Sequence, residues 1–267
     1  MLSISIVIYQ LDCDLFRRLL DSLSIALDKV SEGSSGISIK IIDNGNQQTI
    51  IENLSKDYLN KLPTLEIISG MKNIGYGRAH NLGILSSTSK YHLVLNPDVI
   101  LDSDSLIEGI KHLESNKDIC AVAPACEDEK GQVQYLAKRY PSVLDLALRG
   151  VAPRFIKKYF QKRLSRYEMH KVLNKESAVQ VDIISGCFML CRTEYLKKIG
   201  GFDERYFLYF EDFALSMEMK KLGALQYLSS MKIIHYGGNA AGKDFKHILM
   251  FVISGIKFFN CYGWKIR

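Results

Sequence analysis

The run YHLVLNPDVIL, residues 91–101, carries an apolar stretch straight into Asn96, Pro97 and Asp98. Pro97 cannot donate to a sheet ladder, so a strand must stop or bend there, leaving Asp98 at its carboxyl end. That rim is where open α/β sheets hold their ligands. The same letters also fit a plain strand exit followed by a helix cap. A second acid, Asp43, closes IIDNG beside Asn44. Two carboxylates brought to one rim by different strands can divide the work, one accepting from a base or ribose and the other holding a cation. An Asp-Asn-Gly turn explains the tripeptide equally well.

Three further segments carry chemistry-bearing residues. NIGYGRAHNLG has its glycines at 75, 77 and 83, so the GxGxxG dinucleotide fingerprint is not met, and hydride transfer is a poor reading. Gly75 still permits close backbone approach by a ligand, and Asn73, Arg78 and Asn81 can reach a nucleotide or its phosphates; a structural loop-to-helix entry is the alternative. In GGFDERYFLYFED, Glu211 and Asp212 stand where an aromatic run gives way to a helix, whose dipole favours an anion at that end. Such a carboxylate can remove a proton from a hydroxyl brought within hydrogen-bond reach, or it can simply cap the helix. His235 ends IIHYGG and is either a metal or phosphate contact or a structural histidine.

The elements that must position these residues alternate through the first half. SISIVIY reads as a strand, and DLFRRLLDSLSIAL as a helix with Leu15, Phe16, Leu19, Leu20, Leu23 and Leu27 on one face. GISIKIID, TLEIISG and YHLVL follow as strands, with helices over IIENLSKDYLNKL and GRAHNLGILSST between them. This order predicts a parallel sheet between helices. Ser103 is the expected cap of the helix in SLIEGIKHLESN, and DICAVAPA the next strand. Beyond Pro141 a basic, helical section precedes strands in AVQVDIISGCFMLCR. Two helices stopped by Gly200–Gly201 and Gly223 come next, then a last strand in LQYLSSMKIIHYGG. Residues 244–262 read as an amphipathic helix interrupted by Lys257.

The 267 residues and ordinary apolar content suffice for a full core. Six cysteines without CxxC or CxH spacing signal neither zinc nor disulfides, and fit idle thiols in a reducing cytoplasm. MLSISIVIY lacks the features of a signal peptide, and no uncharged apolar run approaches the roughly 18 to 20 residues of a membrane span. The net charge of +6 is concentrated between Lys138 and Lys175, where basic residues interleave with Leu146, Phe155, Tyr159 and Phe160. Such a stretch can face anionic lipid, a pyrophosphate or nucleic acid, or be a solvated helix face. No nucleic-acid reader motif accompanies it.

Taken together, SIVIY, IIDNG, NIGYGRAHNLG, YHLVLNPDVIL, SGCFMLCR, IGGFDERYFLYFED and IIHYGG resemble, in order, the motifs of family 2 glycosyltransferases of the GT-A fold, in the rhamnosyltransferase-like branch. The resemblance runs from Ile4 to about Gly238. It implies an α/β, Rossmann-like, mostly parallel central sheet flanked by helices, with a helical C-terminal extension. Residues 1–125 would form the nucleotide-sugar half, 126–240 the acceptor and catalytic half, and 241–267 an amphipathic helix.

By that resemblance NPD stands for a metal-binding DxD-type motif, Asp98 meeting Mg²⁺ or Mn²⁺ on a dTDP- or UDP-sugar, with His235 adding a contact. Asp43 and Asn44, with Tyr9, Asn73, Gly75, Arg78, Asn81 and Asn96, would bind the nucleotide, and Gly186 the acceptor side. Asp212 would be the general base of an inverting transfer, with Glu211 orienting it. Implied partners are the donor and a glycan acceptor, polyprenyl-diphosphate-linked, at the inner face of the cytoplasmic membrane during O-antigen-type polysaccharide assembly. A catalytically silent nucleotide- or carbohydrate-binding module on the same fold is the competing expectation. The chain departs from the pattern in Ile8, Tyr9 and Gln10, where the family has a Thr-Tyr-Asn-like strand end. It also has Ala214 and Glu218 in place of a helical acid–arginine pair, and one acid in NPD instead of two.

Overall fold

The computed structural model describes residues 1–31, 36–59, 61–150, 152–173, 176–237 and 245–267. Strand β1 (Leu2–Ile8) is buried along its whole length, so it needs no polar side. Leu2, Ile4, Ile6 and Ile8 enter the main core against Phe16, Leu19, Leu20, Leu23 and Leu27 of α1 (Cys13–Ser31). On the other face Ser5 Oγ meets His80 Nδ1 at 2.7 Å and His92 Nε2 at 2.8 Å, while Ser3 Oγ meets His92 Nδ1 at 2.7 Å. Burial holds both imidazoles neutral, pushing His92 down to about 3.

The chain continues through β2 (Ile37–Asp43), α2 (Gln48–Lys56), β3 (Leu65–Ile68), α3 (Tyr76–Ser86) and β4 (Tyr91–Leu95). The strands lie in the order β3-β2-β1-β4, all parallel. Because the path runs outward from β1 and then returns to its other side, a crevice opens beyond the carboxyl ends of β1 and β4. Register pairs Ile8 with Asp43 and Ile6 with Leu95, so Tyr9, Asp43 and Asn96 all reach that rim.

The second half adds β5 (Val99–Leu101), α4 (Ser105–Ser115), β6 (Ile119–Glu127), β7 (Val133–Gln134) and β8 (Ala137–Lys138). Short helices follow, α5 (Val143–Gly150), α6 (Arg154–Tyr159), α7 (Gln161–Tyr167) and α8 (His170–Leu173). The chain ends with β9 (Ala178–Val181), β10 (Ile183–Ile184), β11 (Phe188–Arg192), α9 (Thr193–Lys198), α10 (Glu211–Lys220), β12 (Ala224–His235) and α11 (Phe245–Tyr262). β11 is inserted antiparallel between β4 and β6, pairing Phe188 with Leu95. β12 runs parallel to β6 and antiparallel to β5, pairing His235 with Val99. These two antiparallel insertions carry Gly186 and His235 to the NPD segment.

Several local expectations need correction. The helix foreseen over 50–62 ends at Lys56, with a turn beyond it, and Asn60 lies outside the described residues. Asp104, not Ser103, occupies the cap position of α4, and Lys29 Nζ donates to both side chains, at 2.7 and 2.8 Å. Lys257 does not interrupt α11; its stem lies along the surface and Nζ donates to the Arg205 carbonyl at 2.9 Å. All six thiols are free.

Gly83 sets how closely α3 approaches β1, since an added Cβ would lie 2.8 Å from Ser5 Cβ. Gly83→Val is therefore expected to destabilise the protein by about 1–3 kcal/mol through overpacking. Differential scanning calorimetry should show a melting point several degrees lower, and an unchanged one would mean that α3 can shift freely.

Candidate active site

Pro97 ends β4 and Asp98 begins the turn into β5, where the Tyr236 amide donates to the Asp98 carbonyl at 3.0 Å. This fixes Asp98 Oδ1 3.5 Å from His235 Nε2. Neither atom has a hydrogen-bond partner, and both are buried. Gln134 decides the imidazole's state. Its Nε2 donates to the His235 carbonyl at 3.0 Å, which turns its Oε1 towards His235 Nδ1, also at 3.0 Å. Nδ1 then carries a proton, which in the neutral imidazole puts the lone pair on Nε2. Two acceptors facing each other in a buried site fit a cation between them. The backbone leaves room for one: a Cβ on Gly237 would collide with Asp98 Oδ2 and lie 2.8 Å from His235 Nε2. Among the described residues no group of three or more His, Cys, Asp or Glu gathers here. Gly238, the last residue of the IIHYGG motif, lies outside the described residues.

The second carboxylate pair begins α10. Tyr209 and Phe210 precede it with φ of 69° and 66°, a left-handed backbone that bulky side chains rarely adopt. Three contacts from α11 hold this turn. Ser254 Oγ donates to the Leu208 carbonyl at 3.0 Å, His247 Nδ1 lies 2.9 Å from the Tyr209 hydroxyl, and Phe210 packs against Phe251 and Phe258. The result is a partly exposed Asp212 whose Oδ2 accepts from the Gly186 amide at 3.0 Å and whose Oδ1 accepts from the Phe213 amide at 2.9 Å. Glu211 is buried, and its Oε2 has no partner.

A single side chain joins the two halves. The Tyr76 hydroxyl donates to the Gly186 carbonyl at 2.6 Å and lies 3.0 Å from Asn96 Oδ1, while the Asn96 amide donates to the Cys187 carbonyl at 2.9 Å. From Asp98 the path runs through Asn96, Tyr76 and Gly186 to Asp212. Asp98 and Asp212 both raise the Tyr76 pKa alongside its burial, so both acids are within electrostatic reach of one hydroxyl.

The nucleotide-side residues divide. Tyr9 is exposed at the rim, and Gly45 lies so close to its carbonyl that no side chain would fit. Asp43 is fully buried, its oxygens accepting from the Gly45 and Gln47 amides at 3.1 and 2.7 Å, and one lone pair on each remains for a ligand. Asn44 ties down the loop before α3, donating to Asn73 Oδ1 at 3.0 Å and accepting from the Ile74 amide at 2.8 Å. Gly75, with φ of 93°, sits against the Phe207 carbonyl. Two of these side chains have protein partners. Arg78 pairs with Glu204 at 2.7 Å, and Asn81 uses its whole amide on the Phe202 backbone, at 2.7 and 2.9 Å.

Sequence reading missed Tyr76, Gln134 and Gly237, and it placed Lys138 in a surface stretch. Tyr76 lies in plain sight between Gly75 and Gly77, but nothing in its spacing marks it. Lys138 pairs with Ile183 in the β8–β10 ladder and is only 4% exposed. Burial, then Arg149, pushes it down to about 8, while Asp212 and Glu168 oppose them. The rest of the basic stretch is not one face. Arg163 pairs with Asp145 at 2.7 Å and Arg149 with Glu168 at 3.3 Å, whereas Phe155 and Tyr159 are exposed; Lys175 lies outside the described residues.

Comparison with known proteins places this geometry. The family model described as "Glycosyl transferase family 2" matches residues 3–200. The chain belongs to that family. Among the relatives of this transferase-family chain is the N-acetylglucosaminyl-diphospho-decaprenol L-rhamnosyltransferase of Mycobacterium tuberculosis. It is 26% identical over 85% of this chain and 73% of its own length. Rhamnosyltransferase WbbL of Escherichia coli K12 is 28% identical over 74% and 72%. The fold is that of the GT-A glycosyltransferases. A GalNAc-T structure with UDP, GalNAc and Mn²⁺ superposes with a TM-score of 0.66 at 14% identity. The mannosyltransferase PcManGT of Pyrobaculum calidifontis with GDP-Man and Mn²⁺ gives 0.60 at 13%. They are covered by 97% and 90% of this chain, which spans 47% and 58% of theirs.

The carboxylate pair has a measurable signature. Burial, reinforced by the neighbouring Asp212 charge, pushes Glu211 from its ordinary 4.5 up to about 8. Its folded value lies above its unfolded one, so the cost of ionising it is absent below about 4.5 and grows as pH rises towards about 8. Glu211→Gln is expected to raise the melting temperature near pH 8 and leave it unchanged near pH 4. Equal shifts at both would mean that Glu211 ionises freely in the fold.

Proposed function

We propose that the chain is an inverting glycosyltransferase that moves a deoxyhexose, rhamnose from dTDP-rhamnose, onto a hydroxyl of a lipid-linked glycan acceptor. The observation that carries this reading is the pairing of a cation-ready Asp98–His235 site with a hydrogen-bonded carboxylate, Asp212, through one tyrosine hydroxyl. The rhamnosyltransferase names of two relatives support the sugar, and the diphospho-decaprenol in one of them supports the acceptor class. No helix of the described residues is long and apolar enough to cross a membrane, so a lipid-linked acceptor would be met at the membrane surface.

Asp98 and His235 would hold a divalent cation, Mg²⁺ or Mn²⁺, which supplies charge neutralisation of the donor's diphosphate. Asp43, with the backbone at Tyr9 and Gly45, lines the nucleotide side. Asp212 takes the proton of the acceptor hydroxyl as its oxygen bonds to the anomeric carbon. The carbon–oxygen bond to the diphosphate breaks in the same displacement, so the configuration inverts. The Gly186 amide, the Lys138 ammonium and the Phe213 amide favour the ionised form of Asp212 and oppose the burial that raises its pKa. Glu211, held protonated by burial, remains a neutral neighbour.

Asp212→Asn is expected to lower transfer about 10²–10⁴-fold while leaving donor binding intact. Asp98→Asn and Gly237→Ala should abolish the Mn²⁺-dependent part of the thermal shift given by dTDP-rhamnose, an effect of about 2.7 kcal/mol at a hundred times the dissociation constant. Wild-type transfer rates in Asp212→Asn would end the assignment of the base. Lys138→Met removes a cation beside Asp212 and should move the acid limb of the kcat/KM profile to higher pH; a limb that stays in place would remove Lys138 from the site.

A further inference from the structure

An apolar groove of about 460 Å³ runs between α5 and α11, within the size range of small-molecule sites. One wall is Val143, Leu146 and Gly150; the other is Ile248, Val252 and Ile256, a line at helical spacing whose members keep nearly half their surface in water. Part of the lining is Phe210, the residue immediately before the Glu211–Asp212 pair. Gly255 permits that contact, since a Cβ there would stand 3.2 Å from Phe210 Cζ.

Cations stand on α5, which walls the groove, and on β8, which pairs with β10 two residues before Gly186. Arg149 is the neighbour of Gly150; its guanidinium pairs with Glu168 at 3.3 Å and its carbonyl accepts from Lys157 Nζ at 2.8 Å. Lys138, on β8, is nine-tenths buried and within electrostatic reach of both Arg149 and Asp212. A buried ammonium in that position gains an anionic partner whenever a diphosphate comes alongside.

We propose that this groove holds the isoprenoid chain of a polyprenyl-diphosphate acceptor, with the diphosphate at Arg149 and Lys138 and the glycan end delivered to Asp212. The inference rests on the glycosyltransferase reading above and deepens it. The concavity of the groove, its continuity with Phe210 and the order of apolar wall, cations and base suit one amphiphile better than a flat lipid surface.

The chain's single tryptophan is a built-in reporter, because Trp264 lines the groove and stacks on Phe259 at 5.2 Å. Farnesyl diphosphate is expected to shift its emission to the blue in a saturable titration, whereas inorganic diphosphate leaves it unchanged. Space beyond Gly150 is open, so Gly150→Leu should fill the groove without disturbing the fold, and it should weaken the titration at least tenfold, as should Val252→Asp. Lys138→Met should weaken binding of farnesyl diphosphate but not of farnesol. The proposal fails if no isoprenyl probe moves Trp264, or if Gly150→Leu titrates like wild type. It also fails if vesicles of phosphatidylglycerol alone shift the emission and farnesyl diphosphate does not compete, which would make this a membrane-docking face. The readout needs neither donor nor turnover, so its failure is distinguishable from loss of the transferase reading.

Discussion

The Tyr76 hydroxyl is the point at which the molecule's two halves become one site. It donates to the Gly186 carbonyl and touches Asn96, so the end of β4 and the loop before β11 are set against each other. Gly186 in turn donates to Asp212. A Cβ on Gly186 would lie 3.3 Å from both the Asp212 Cβ and the Tyr76 ring, so the spacing tolerates little change. Burial keeps the phenol far above its ordinary pKa, and the hydroxyl remains a donor throughout the pH range in which a carboxylate base works. The buried Ser5–His80 contact on α3 anchors the helix that presents this tyrosine.

The position of Asp212 depends on a part of the chain that lies outside the matched family region. That region ends at residue 200, whereas Asp212 and α11 come later. Two successive bulky residues in left-handed conformation cost about 1–3 kcal/mol each, and such strain persists only where surrounding structure over-determines it. Here α11 does so through Ser254, His247 and the cluster of Phe251 and Phe258 around Phe210. The C-terminal helix thus couples the apolar groove on one of its sides to the carboxylate pair on another.

Electrostatics complete the division of labour between adjacent acids. Glu211 and Asp212 are both lifted by burial, but only Asp212 has two backbone amides and a buried lysine to draw it back. The two neighbours, whose side chains differ by one methylene, thus sit in unlike surroundings. At the opposite end, Gln134 fixes the histidine tautomer through its own backbone-bonded amide, so a residue with no charge decides whether Nε2 can serve as a ligand.

The residues by themselves determined the α/β order, the parallel β1–β4 arrangement and the rim on which Asp43 and Asp98 emerge. Those properties follow from local periodicity and from Pro97, which any window of the chain displays. A strand end brought His235 forward as a candidate, and a helix start Asp212. Their partners were illegible, because Tyr76 and Gln134 act through contacts spanning 20 to 110 positions in the chain, and Gly237 matters only because the fold brings Asp98 against it. Lys138 read as surface charge, since a lysine's letter carries no sign of the short β8–β10 ladder that buries it. Arg78 and Asn81 have the chemistry to hold phosphate, yet the fold gives them Glu204 and the Phe202 backbone instead. Which polar groups remain free for a ligand is decided only when every other group has found its partner, and that accounting belongs to the tertiary structure.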